Sequence, residues 1–446
     1  MLSVCRLSTH NDFRTRSVRT TIRTNAMPVN LEMPTPPATA EEYCSRGMDL
    51  LNTGNWKDAI EDFSQAIRLR PDVAVGYRFR ARAHAESGNV TRAIADLDQA
   101  IRLNPADIQA LFDRGQSFLR QKQYEEALVD CNKALKLDEG RADVIALRGR
   151  VQEARGASEQ ADTDFSRAIE LDPEGVANYL IWRGDLRLRS DDPAGALKDF
   201  DLALFREPEH VYALSRRASA NWALRNLDAA LADYTRAVEL DGEWVWVRNG
   251  RGLVYHDRSE YEAALADFNE SLKIDPTHAP TYEYRAETFD KLGRKNETLS
   301  DMNEAIKRNP ESVRLFNRRA MLHYFNRQYV QAIRDHTSAL KCDPASAVTF
   351  NYLAWLWSTV PDPTVRNGRR ALECATRACE LSEWQTPGFL DTLAAAHAEV
   401  GNFTEAEKWA ERATDLAETE TIRKLYMARS EQYREREPLR VVPGEE

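Results

Sequence analysis

From about residue 40 to residue 346, small, apolar and charged positions return in register every 34 residues. Prolines or their stand-ins mark the beat at Pro71, Pro105, Glu139, Pro173, Pro208, Gly242, Pro276, Pro310 and Pro344. Numbering each unit so that this residue is position 32, position 8 is always Gly or Ala: Gly47, Ala81, Gly115, Gly149, Gly184, Ala218, Gly252, Ala286 and Ala320. Positions 20 and 27 are alanine with two exceptions, Thr298 and Ser271. Three columns of small residues predict two helices in close contact, because a larger side chain at such a point overpacks. Position 24 is usually large and apolar, as in Phe63, Leu97, Phe165, Phe200, Tyr234 and Phe268. Between the small columns runs a polar or glycine turn near position 15, as in Gly54-Asn55, Gly88-Asn89 and Gly293-Arg294. Each unit therefore reads as helix, turn, helix, with an apolar face that only its neighbours can cover.

Two further units follow out of phase. Residues 347–381 carry Ala354, Ala371 and Ala378 with an insertion, Pro361 to Val365, between the helices. Residues 387–418 carry Ala394, Ala406 and Ala413, with Gly401 at the turn. Residues 419–437 read as a capping helix with Ile422, Leu425, Tyr426 and Tyr433 on one face, and 438–446 as a loose tail. Residues 1–38 differ from the rest, being basic and then Pro-rich from Met33 to Pro37. They read as a disordered tail, or a start placed ahead of Met27, although a basic, acid-poor leader also resembles an organelle transit peptide.

The 34-residue period with its proline identifies the chain as resembling the tetratricopeptide-repeat family. The resemblance implies an all-α fold: a right-handed superhelical solenoid of about eleven hairpins, nine regular over residues 40–346 and two divergent over 347–418. The block from Tyr352 to Trp357, with the run from Gly388 to Ala396, also resembles the terminal units of long bacterial, planctomycete-like repeat proteins.

One pair of columns departs from the family, which carries leucine at position 7. Here position 7 is arginine nine times: Arg46, Arg80, Arg114, Arg148, Arg183, Arg217, Arg251, Arg285 and Arg319. Position 23 is aspartate in the same nine units: Asp62, Asp96, Asp130, Asp164, Asp199, Asp233, Asp267, Asp301 and Asp335. In the last two units both change together, to Leu353 and Leu393, and to Cys374 and Trp409. The joint loss predicts a structural ladder of bidentate arginine–aspartate pairs between helices. The alternative is that both columns face water and were copied by duplication. Which two helices such a ladder would join is not readable from the spacing.

Composition narrows the function. A net charge of -10 offers no basic face for nucleic acid. No apolar run reaches the ~18 residues of a membrane span. The six cysteines are sparse and form no CxxC pair, as expected of reduced thiols rather than a disulfide or zinc framework. The sequence contains no HExxH, no phosphate-binding loop and no GxSxG elbow, and the eight histidines lie apart. Repeats occupy nearly the whole length. We therefore expect a cytoplasmic protein that is not an enzyme and needs no cofactor or metal. Its partner would be a protein or peptide, with self-association open and nucleic acid and membrane insertion excluded.

In the family, the concave groove is lined by first-helix positions 2, 5, 9, 12 and 13. Carried onto this sequence, these positions give candidate ligand contacts at Arg78, Arg82, Tyr212, Trp222, Trp246, Asn249, His256 and Tyr324. Rigid aromatic rings among polar neighbours suit peptide binding. Trp246 also has a structural reading, as a filler beside the unusual Arg248. The carboxylate-clamp pattern of chaperone-binding relatives is not met, because Asp113 stands where asparagine is needed. The leading expectation is an interaction scaffold holding a peptide or partner helix. The other is a substrate-presenting arm for a separate enzyme such as a glycosyltransferase.

Overall fold

The structure, a computed structural model, describes residues 39–173 and 175–444. The basic and Pro-rich segment expected over residues 1–38 lies outside them. The described residues form helices and no strands, in two compact units divided after Glu139.

The first unit holds α1 (Ala40–Asn52), α2 (Trp56–Leu69), α3 (Ala74–Glu86), α4 (Val90–Leu103), α5 (Ile108–Arg120) and α6 (Tyr124–Leu137). The second begins with α7 (Ala142–Ala154), α8 (Ser158–Leu171), α9 (Val176–Arg189), α10 (Pro193–Arg206), α11 (Val211–Ala223) and α12 (Leu227–Leu240). It continues with α13 (Val245–Asp257), α14 (Tyr261–Ile274), α15 (Ala279–Lys291), α16 (Lys295–Arg308), α17 (Val313–Phe325) and α18 (Tyr329–Cys342). It ends with α19 (Ala347–Thr359), α20 (Gly368–Leu381), α21 (Pro387–Glu399), α22 (Phe403–Asp415) and α23 (Glu420–Arg434). In both units each odd helix packs antiparallel on the next even one, and within a unit successive hairpins stack. This is a solenoid, in which each hairpin covers its neighbour's apolar face.

The small columns are where the helices touch. Ala59, Ala93, Ala196 and Ala230 at position 20, and Ala66, Ala100, Ala203 and Ala237 at position 27, are essentially inaccessible. Position 8 is matched to position 24. Glycine at 8 faces phenylalanine in Gly47–Phe63, Gly149–Phe165, Gly184–Phe200 and Gly252–Phe268, where an added Cβ would lie 2.6–2.9 Å from the ring. Alanine at 8 goes with Leu97, Tyr234, Met302 or His336. The first helices close on a left-handed residue at position 15. Gly54 (φ +78°) and Gly88 (φ +86°) do this freely, whereas Lys122 (φ +61°) and Arg225 (φ +64°) carry a side chain through the same conformation.

All nine arginines at position 7 donate through Nε and Nη2 to both carboxylate oxygens of the aspartate at position 23 of the same hairpin, at 2.6–3.0 Å. The aspartates are buried and the arginines only partly exposed. The ladder thus joins the two helices of one hairpin. In several hairpins it also reaches back: Nη1 of Arg80, Arg183, Arg217 and Arg285 donates to Ser64, Ser166, Asp201 and Asn269 on the preceding second helix. One guanidinium then fastens three helices, which a leucine at position 7 could not do. In the divergent hairpins Leu353 and Leu393 are buried instead, and Trp409 stacks on Trp384 at 5.1 Å.

Two expectations for the C-terminal end are corrected. On α23 the packed face is Tyr426, Ser430 and Tyr433, while Ile422 and Leu425 are exposed. Tyr426 and Tyr433 are seven residues apart, two helical turns; Leu425 falls on a neighbouring stripe, whereas Ile422 shares theirs but lies in the first turn of the helix, where every residue is exposed. The segment after α23 is not loose through its described part. Leu439 and Val441 are buried against Tyr433 and the alanines of α21 and α22. The Val441 amide donates to the Thr359 carbonyl at 2.9 Å.

Candidate functional site

The first helices carry the candidate residues, and each unit has its own set. In the first unit, Arg78 lies on α3 with Nε 3.5 Å from Asp107, its guanidinium over the Phe79 ring at 5.2 Å, and Arg82 is exposed one turn on. The pair does not stand alone as a basic patch. Asp113 on α5 feels both arginines, which together with a hydrogen bond from Gln109 oppose the upward push of burial on its carboxyl. The next hairpin therefore answers the positive charge that the spacing of Arg78 and Arg82 suggested.

In the second unit, α11, α13 and the residue that caps α13 bring Tyr212, Trp246 and Trp244 together. The ring centroids are 5.9 Å apart for Tyr212–Trp246 and 5.6 Å for Trp244–Trp246. All three are partly buried against the core. Tyr212 donates its hydroxyl to Asp185 of α9 at 2.5 Å, and Arg216 donates Nε to the same carboxylate at 2.6 Å. Burial and the neighbouring Asp185 push the Tyr212 phenol well above its ordinary range, so it remains a donor. Arg248 donates to the Gly242 carbonyl at 2.8 Å.

Trp222 donates its indole N–H to Asp257 at 2.8 Å. His256 meets Thr288 at 3.0 Å and packs edge-on to Tyr261, and burial lowers its pKa. Asn249 is buried and donates to Thr281 of α15 at 2.8 Å. A corresponding bridge recurs two hairpins on, from Asn317 to Thr349. These bridges stitch one first helix to the next, so Asn249 is an inter-hairpin tie rather than an open ligand contact.

Tyr324 is also misplaced by the positional rule. Its ring is buried with Tyr329, Leu356 and Val360, while its neighbour Phe325 is 55% exposed. Tyr329 opens the second helix of that hairpin and draws the position-12 ring inward, leaving position 13 outside.

The spacing gave no sign of Trp244, Asp185, Glu283, Arg314 or Arg318. Glu283 on α15 is buried and accepts from Arg314 and Arg318 of α17, and Arg318 also pairs with Glu287. Acid at position 5 or 9 and arginine at position 2 or 6 of the following unit is the readable signal. Among the described residues no group of three or more metal-binding side chains occurs, and no helix is long and apolar enough to cross a membrane.

A stack of two-helix units whose first helices present aromatic and polar side chains in rows defines a helical-repeat interaction scaffold. Models described as tetratricopeptide repeat match residues 44–108, 80–142, 183–243, 247–278 and 389–420, together half of the chain. The chain belongs to the tetratricopeptide-repeat family. No curated protein matches its sequence. Similar solved structures include yeast Tom70, 16% identical over 89% of this chain and 95% of that one, with a TM-score of 0.46. MamA from Desulfovibrio magneticus RS-1 is 22% identical over 40% and 99%, with a TM-score of 0.35. A human IFIT1 dimer with m7Gppp-AAAA is 15% identical over 86% and 92%, with a TM-score of 0.48.

Proposed function

We propose that this scaffold binds an extended peptide or a partner's helix on the first-helix face of the second unit, around Tyr212, Trp244 and Trp246. The observation that carries this reading is the partly exposed aromatic trio, packed ring on ring and against the core, with Tyr212 and the neighbouring Arg216 held by hydrogen bonds to Asp185. Rings fixed in this way lose little side-chain freedom when a ligand covers them. The charges on this face are largely paired with one another. A ligand therefore gains from apolar and hydrogen-bonding contact more than from a salt bridge. With a net charge of -10 the chain suits a protein partner better than a nucleic acid. The Arg–Asp ladder supports the face without forming part of it.

The test is capture of partners by wild type and by Trp246→Ala, identified by mass spectrometry, with the melting temperature as a control for folding. Trp246 is the right residue because Tyr212 also holds the buried Asp185. Loss of specific partners in a folded variant is expected. An unchanged set of partners would remove the aromatic trio from the binding surface.

A further inference from the structure

The segment following α23 lies across the C-terminal ends of α19 and α21. Counting from Leu353 and Leu393 at position 7, it meets Trp355, Ser358 and Thr359 at positions 9, 12 and 13 of one helix. On the other it meets Ala395, Ala398 and Glu399, at the same three positions. These are groove positions by the family's own numbering, and the chain's own tail occupies them.

The contact has the form of a bound peptide. The segment is outside any helix or strand. Leu439 and Val441 both enter the cluster with Trp355, while Arg440 between them makes polar contacts with the same two helices. Arg440 Nη2 meets Glu399 at 2.6 Å and its Nη1 donates to the Ser358 carbonyl at 3.1 Å. The Val441 amide donates to the Thr359 carbonyl at 2.9 Å. Arg366, in the loop between α19 and α20, holds the other oxygen of Glu399 at 3.1 Å and so fixes the carboxylate. Main-chain bonding, an apolar slot and one oriented carboxylate are the parts of a peptide-recognition site.

The grip is slight. Three medium-sized residues, Leu439, Val441 and Pro443, are buried, one backbone bond is made, and Arg440 is a third exposed. The gain from burying three such residues is comparable with the loss of freedom in ordering the segment that carries them. The tail stays seated because its tether keeps its local concentration in the millimolar range.

We propose that Leu439–Val441 is a displaceable internal ligand, and that this end of the second unit takes an apolar–arginine–apolar segment from a partner protein in its place. The proposal rests on the reading that first-helix faces of this chain take extended peptides, but it concerns a different stretch of that face.

The test uses the full chain carrying Leu439→Ser and Val441→Ser, and a fluorescein-labelled synthetic peptide Pro-Leu-Arg-Val-Val-Pro-Gly followed by anisotropy. The released variant should bind the peptide at least tenfold more tightly than wild type, which holds its own tail at about millimolar effective concentration. Adding Glu399→Arg should abolish binding, and a peptide with Glu in place of Arg should restore it. A folded released variant that binds no better than wild type overturns the proposal. If the double serine variant loses the structure of α21 to α23, Arg440→Glu in the full chain decides, with peptide uptake supporting the proposal and its absence ending it. Retained partner capture at Trp246 alongside such a failure would sink this inference alone.

Discussion

The ring of Phe200 occupies the space that a side chain on Gly184 would need, with an added Cβ 2.7 Å from the Phe200 Cε1 atom. The two residues lie on the two helices of one hairpin, and their contact sets how closely α9 and α10 approach. Gly184→Ala gains helix propensity of about 1 kcal/mol but overpacks by about 1–3 kcal/mol. We expect a net loss, larger for Gly184→Val. Adding Phe200→Leu should recover much of it, since Ala81 faces Leu97 in the second hairpin. Urea denaturation of the two singles and the double gives the coupling; simple additivity would show that the ring and the glycine are independent.

The ladder makes a graded prediction. Asp199 receives Arg183 through two bonds and Arg187 through a third at 2.9 Å, and it is 1% exposed. Asp199→Ala strands the partly buried guanidinium of Arg183 and leaves Arg187 with Asp162 alone, at 3.2 Å, and should cost about 3–5 kcal/mol. Asp62→Ala removes the partner of Arg46, whose side chain is 43% exposed, and the cost should be well under half as large. Amide exchange in the affected hairpin, together with the denaturation midpoint, reads both. Equal effects at the two positions would mean that burial does not govern the ladder.

Asp391 gives the second unit a pH dependence of known sign. Burial raises its carboxyl to about 6, against the pull of Arg429 on α23. The folded state therefore holds a proton that the unfolded chain releases near pH 4. The stabilisation is complete below the unfolded value and is lost as the pH rises through about 6. Relative to Asp391→Asn, wild type should lose about 1.4 kcal/mol between pH 5 and pH 7.5. A pH-independent difference between the two proteins would mean that Asp391 is ionised throughout this range.

Lys122 closes α5 in a left-handed conformation, with φ +61°. Lys122→Gly should stabilise the first unit by about 0.5–1 kcal/mol, because glycine adopts this conformation without steric cost. A drop in melting temperature would show that the lysine side chain makes a compensating contact.

The sequence by itself determined the repeat, its two helices and the small columns, and it pointed to a pairing of Arg with Asp without saying which helices the pairs join. Each of these recurs every 34 residues, and repetition turns a local pattern into a packing rule. Even so, the match of Gly184 to Phe200, and the reach of Arg183 back to Ser166, became legible only when the helices lay side by side. Tertiary structure alone decided what was not periodic. Tyr324 turned inward because Tyr329 was there to receive it, and Asn249 found Thr281 a full hairpin away. Asp185 gathered Tyr212 and Arg216 from another helix. The tail from Leu439 to Val441, a short stretch with no pattern of its own, found a place because α19 and α21 present carbonyls, alanines and Glu399 to it. A period predicts the contacts that every unit makes, and contacts made once depend on which surfaces folding brings together.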